Sequence, residues 1–232
     1  MNRHGRHRRG GELVWPWILI TIAMICLALF AGFMLAGEDQ PGWLASLGFE
    51  PQAVMSVVRQ PVGHWINIEL GRLVSALFLH GDWLHLMGNL AYLWVFGLTV
   101  ERAVGHVRFA LLFVVLGGLA NLIVAWQMAD TNLPVIGASG GVSAIIGVYL
   151  GLFPSRRMGL WVPLGLYLQF ARVPALLVIG SWFAVQLLFS VFGPISGQVA
   201  WWSHVAGFLL GLLAAMPLRL FSGKVNLALR ED

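Results

Sequence analysis

The chain has 232 residues, of which 59% are hydrophobic and only 10% are charged. Its mean hydropathy is +0.81. A soluble domain of this size is not so poor in charge, so composition places the chain in lipid. The pI near 10.0 does not signal nucleic acid, because the basic residues flank apolar runs rather than alternating with aromatic ones.

Residues 1–13 carry Arg3, Arg6, Arg8 and Arg9 and read as a basic cytoplasmic N-terminus. The first apolar run, Val14–Ala36, is too long for a signal-peptide core and lacks a cleavage site, so it reads as a retained anchor. Cys26 lies inside it and is the only cysteine, which excludes a disulfide framework and leaves a packing role. The connection Gly37–Trp83 mixes polar residues with clusters such as Trp43-Leu44, and reads as a loop lying in the membrane interface. Leu84–Val100 and Val107–Met128 are the second and third runs. The fourth, Ser139–Phe153, rises only about 21 Å against roughly 30 Å of hydrocarbon. The chain before Ser139 must therefore enter the membrane as a loop, which is tolerated only inside protein or along a wet cavity. Met158–Arg172 is apolar but holds two glycines and Pro163, and reads as an interfacial connection on the cytoplasmic side. Pro174–Phe192 and Trp201–Leu218 complete six predicted spans, making residues 14–218 one all-α polytopic membrane domain, with residues 219–232 as a short tail.

With both termini cytoplasmic, 12 of the 14 Lys and Arg face inward, and only Arg59 and Arg72 lie outside. Tryptophans 15, 17, 83, 126, 201 and 202 fall near run ends, as interfacial tryptophans do.

Three polar side chains then share one depth. Ser139 precedes Arg156 by 17 residues, His204 precedes Arg219 by 15, and His85 precedes Glu101 by 16. At about 1.5 Å per residue, Ser139 and His204 differ by roughly 3 Å in height. Intramembrane polar residues are costly and point to function by default. A serine becomes a nucleophile when a base takes its proton and donors hold the oxyanion. His204 is the candidate base. Ser139 opens a helix, so its own N–H is an unsatisfied donor, and Gly137 and Gly140 allow a tight turn and close substrate approach. His85 and Asn89, spaced i and i+4, project from one face and can both donate into that layer. Ser139, Ser143, Gly147 and Gly151 recur on the fourth run, and His204, Gly207, Gly211 and Ala214 on the sixth. Two small-residue faces allow close backbone approach in lipid.

Blander readings exist for each piece. Small-residue stripes usually serve packing alone, an isolated histidine or Asn89 can serve as polar glue, and Glu101-Arg102 and Arg156-Arg157 read most simply as interfacial charges. His80, Asp82 and His85 hint at a metal, but no second ligand cluster accompanies them. Gly137-x-Ser139-x-Gly141 fits the hydrolase nucleophile elbow, yet no strand precedes it. The combination at matched depth outweighs these.

The chain resembles the rhomboid intramembrane serine proteases of the basic six-helix bacterial type. Arg72, His80-x4-His85-x3-Asn89, Glu101-Arg102, Gly137-Ala138-Ser139-Gly140 and His204-x2-Gly207-x3-Gly211 carry the likeness, in family order. The resemblance implies a Ser139 nucleophile, His204 as its base without a carboxylate, and oxyanion stabilisation by His85 and Asn89. It also implies membrane-protein substrates cut within or near a transmembrane segment, a bacterial inner-membrane location, no cofactor and no nucleic-acid partner. Two positions depart from the family pattern. Gly71 stands where tryptophan is common, and Ser143 where an aromatic residue packs under the histidine. A non-catalytic relative that binds transmembrane helices is the alternative. A transporter would require paired intramembrane charges or broken repeats, which the sequence lacks.

Overall fold

The computed structural model describes residues 15–164, 167–192 and 201–221. The basic segment 1–13, residues 193–200 and most of the predicted tail lie outside the described residues. Helix α1 (Trp17–Leu35) is followed by three short helices, α2 (Gln40–Leu47), α3 (Pro51–Val58) and α4 (Ile68–Ser75). Then come α5 (Trp83–Val104), α6 (His106–Gln127) and the short α7 (Ser139–Leu152). A hairpin of β1 (Arg157–Leu164) and β2 (Tyr167–Pro174) leads to α8 (Ala175–Phe192) and α9 (Trp201–Phe221). Among the described residues five helices are long and apolar enough to cross a membrane, and α7 is a shorter apolar sixth. The protein is therefore an integral multi-pass membrane protein.

The helices sort by what they face. In α7 every residue except Ser139 and Gly151 is buried, so it forms the central post. In α8 only Ala175, Ile179 and Gln186 are buried, and a row including Leu176, Leu177, Leu187, Leu188 and Phe192 is exposed, as a lipid-facing surface requires. The main core joins α1 (Leu19, Cys26, Phe30), α5 (Leu86, Leu93, Phe96), α6 (Phe109, Phe113) and α7 (Ile145, Ile146, Tyr149). Cys26 is fully buried there.

The close approach of the last helix to α7 is made by backbone. A Cβ on Gly207 would collide with the Gly140 carbonyl, one on Gly211 with that of Ala144, and one on Gly147 with that of Phe208. Gly151 abuts Ala215, so the α9 face ends one residue later than the predicted Ala214. Without a hydrophobic force between helices in lipid, this approach supplies the dispersion contact that holds them.

Three expectations need amendment. The first connection is not a loop: α3 and α4 carry Val54, Met55 and Leu73 into a second core with Phe49, Val124 and Ala125. The connection expected at Met158–Arg172 is a two-stranded antiparallel ribbon in an otherwise helical chain, with Arg157 opposite Pro174 and Leu164 opposite Tyr167. Its residues include the strand-favouring Trp161, Val162, Phe170 and Val173, and the ladder pairs backbone groups that an irregular connection would leave open. Glu101 is not an interfacial charge. It is fully buried, and its carboxylate accepts the N–H groups of Ile18 at 2.9 Å and Leu19 at 2.8 Å. One helix thus caps another, satisfying two donors of α1 that nothing else in its first turn can take. His106 Nδ1 lies 2.6 Å from the same carboxylate.

Candidate active site

The segment before α7 is held from outside the bundle. Phe49 and Val135 exchange backbone hydrogen bonds, Phe49 N–H to Val135 at 3.2 Å and Val135 N–H to Phe49 at 2.8 Å. The Gln52 N–H donates to the Thr131 carbonyl at 3.0 Å, and the Gly137 N–H to that of Ala76 at 2.8 Å. These bonds satisfy part of the non-helical backbone that the short fourth span forces into the membrane. Gly137 has φ +123°, a conformation other residues rarely adopt. A Cβ there would also lie 2.6 Å from His85 Nε2, so the glycine lets the imidazole sit against the backbone.

Ser139 is the first residue of α7 and is half-buried. No side chain caps this helix, so the first-turn N–H groups remain free of a side-chain acceptor. His85 and Asn89 share one face of α5. Asp82 caps that helix by accepting the His85 N–H at 2.8 Å, and Asn89 Nδ2 donates one hydrogen to the His85 carbonyl at 3.1 Å. The amide's second N–H remains available. His80, fully buried, meets the His85 ring edge-on with centroids 5.1 Å apart.

His204 lies in the first turn of α9. Its Nδ1 is 2.7 Å from Gln186 Oε1 on α8, and Trp201 stands edge-on to it at 5.7 Å. These two groups hold the ring where the sequence offers Ser143 in place of the family's aromatic residue. Beside it, Ser203 Oγ donates to Asn121 Oδ1 at 3.4 Å, and Asn121 Nδ2 to the Leu73 carbonyl at 2.8 Å. That chain ties α9 through α6 to α4.

Ser139, His204, His85, Asn89 and Gly137 all line one cavity of about 990 Å³. Gly140 and Gly207 do not line it; they approach each other where α7 and α9 touch. Ser139 and His204 do not hydrogen-bond to each other here; such contacts often tighten only when substrate binds. Among the described residues no group of three or more His, Cys, Asp or Glu is placed to hold a metal ion. Sequence reasoning missed Gln186, Trp201, Asn121 and Ser203. Gln186 had a signal: it is the only carboxamide in its apolar run, 12 residues from Pro174, or about 18 Å up.

Residues 67–221 match the family model described as the Rhomboid domain. The chain is similar to Rhomboid-related protein 3 of Homo sapiens, 27% identical over 142 residues, covering 58% of this chain and 31% of that one. It is also similar to Rhomboid protease GlpG of Yersinia pestis (strain Pestoides F), 26% identical over 201 residues, covering 85% of this chain and 61% of the relative. A third likeness, to Rhomboid-like protein 11, chloroplastic, of Arabidopsis thaliana, is 36% over 75 residues, covering 32% of this chain and 26% of that one. The chain thus spans less than two thirds of each relative. The domain match takes in α4 through α9, and with it every residue that lines the cavity, so the chain belongs to the rhomboid family.

Proposed function

We propose that this protein is an intramembrane serine endopeptidase that cleaves other membrane proteins within or near a transmembrane segment. The observation that supports it best is the convergence of Ser139, His204, His85 and Asn89 on one cavity from three helices. Ser139 Oγ attacks the scissile carbonyl carbon while His204 takes its proton. The oxyanion that forms is held by the Ser139 N–H, an N–H of the His85 ring and the second N–H of Asn89. Collapse expels the amine, which takes the proton from His204, and leaves an acyl ester on Ser139. Water, deprotonated by His204, then releases the acid. No cofactor enters. The bilayer and a single-span substrate are the partners.

The basic flanks support cytoplasmic termini and an opening to the opposite side; a bacterial inner membrane is the proposed location. The protein is tested in liposomes with a single-span substrate and a fluorophosphonate probe. Wild type should cleave and be labelled, whereas Ser139→Ala and His204→Ala should do neither while keeping their helix content. Substantial cleavage by Ser139→Ala would refute the assignment. A wild type that is folded, unlabelled and inactive would favour a non-catalytic relative.

A further inference from the structure

We propose that Gln186 is the positioning residue of His204, holding its imidazole in the tautomer and orientation that a base needs. Gln186 has this role only if His204 is the base, so the inference rests on the proposed dyad.

The geometry is specific. On α8, Gln186 is the one polar side chain among three buried residues. The helix's two serines turn their hydroxyls back to their own backbone, Ser181 to Val178 at 3.0 Å and Ser190 to Leu187 at 2.8 Å. Gln186 instead reaches across to α9 and places Oε1 2.7 Å from His204 Nδ1. With the amide oxygen facing the ring, this contact is a hydrogen bond only when the imidazole proton sits on Nδ1. The lone pair then sits on Nε2, the nitrogen that must receive the Ser139 proton. In triad hydrolases a carboxylate fixes this tautomer. A carboxylate is costly at membrane depth, where a neutral amide orients the ring without a buried charge. Trp201, edge-on to the ring, limits its rotation from another side.

The departure at Ser143 acquires a physical account. The ring lacks an aromatic floor on α7, and a hydrogen bond from α8 restrains it instead. Ser143 is small, buried and 3.2 Å from where a Cβ on Gly207 would stand, so the space an aromatic ring would fill is taken by the approach of α9.

Two measurements on the full-length protein test the role. In the first, Gln186→Met removes the acceptor at nearly constant length, and Gln186→Glu keeps an oxygen there. Gln186→Met should lower kcat by about 10- to 100-fold with KM within about twofold, the loss typical of a misplaced catalytic group. Gln186→Glu should recover most of it. Thermal unfolding checks that both variants are folded. Wild-type kcat in Gln186→Met, or equal losses in both variants, would make Gln186 a packing residue. The second measurement does not need turnover. With ¹⁵N-histidine in micelles and the His204 signals assigned by their loss in His204→Ala, the wild type should show a protonated Nδ1 and a bare Nε2. That pattern should be lost in Gln186→Met. A wild-type proton on Nε2, or a pattern unchanged in Gln186→Met, would overturn the inference whether or not the protein cleaves. Loss of the dyad reading has a different signature, cleavage surviving in Ser139→Ala.

Discussion

Gly207→Ala tests whether the site depends on how closely α9 approaches α7. The added methyl would collide with the Gly140 carbonyl and lie 3.2 Å from Ser143 Cβ. The obstacle is backbone, which has no rotamer to change. Restoring an ordinary carbon–oxygen contact requires the helices to part by on the order of 1 Å. Overpacking of that kind costs about 1–3 kcal/mol. The larger effect should be on rate. Gly140 follows Ser139 directly, and Gly207 is one turn from His204, so the separation falls where the two candidate groups must meet. A 1 Å misplacement can cost about 10²-fold. Initial cleavage rates in proteoliposomes, with thermal unfolding of the same preparation, measure both quantities. Gly180→Ala on α8 is the control: nothing lies within 4 Å of its Cβ, and helix propensity favours alanine by up to about 1 kcal/mol. A Gly207→Ala variant within twofold of wild type would refute the claim that backbone contact sets the candidate site.

His85→Ala and Asn89→Ala should each lower kcat, by up to about 10²–10³ if the remaining donors are weak; an unchanged kcat would reduce that residue to packing. Glu101→Ala leaves the Ile18 and Leu19 N–H groups without their acceptor, and should destabilise the protein by about 1–3 kcal/mol. Cleavage measured well below the lowered Tm should be unaffected, and an unchanged Tm would mean that the cap contributes nothing. In a Cys26→Ser background, an impermeant thiol reagent added outside should label cysteine placed at Gly81 and not at Arg157, both exposed; the reverse pattern would invert the orientation.

Much of the candidate site was legible because lipid makes polarity conspicuous. Ser139, His204, His85 and Asn89 are costly where they stand, and counting from basic flanks put three of them in one layer. Applied to the fifth run, the same count would have reached Gln186, about 18 Å above Pro174. What escaped were properties that depend on partners far along the chain. Glu101 looks like an interfacial charge until α1 is seen to end on it, 83 residues away at Ile18. The helices α2 to α4 have only eight residues each and no long period to detect. The ribbon was hidden by Pro163 and its glycines, although two β-rich runs separated by two residues are a hairpin signal. Ala214 and Ala215 both fit a three-or-four spacing from Gly211, and only the contact with Gly151 selects Ala215.

The cap on α1 also sets how the molecule meets bilayers of different thickness. A single span normally adjusts by tilting or sliding until its flanks find the headgroups. Here the start of α1 is fixed by Glu101, a protein group at a height that α5 determines. Any adjustment must therefore be made at the other end. There a Cβ on Gly32 would lie 2.6 Å from the Trp43 ring of α2, and α2 runs directly into Phe49, which bonds Val135 ahead of Ser139. Hydrophobic mismatch is thereby delivered to the segment that holds the loop before Ser139, the candidate nucleophile. Acyl-chain length becomes a variable of the site itself, and turnover across liposomes of graded thickness should follow it.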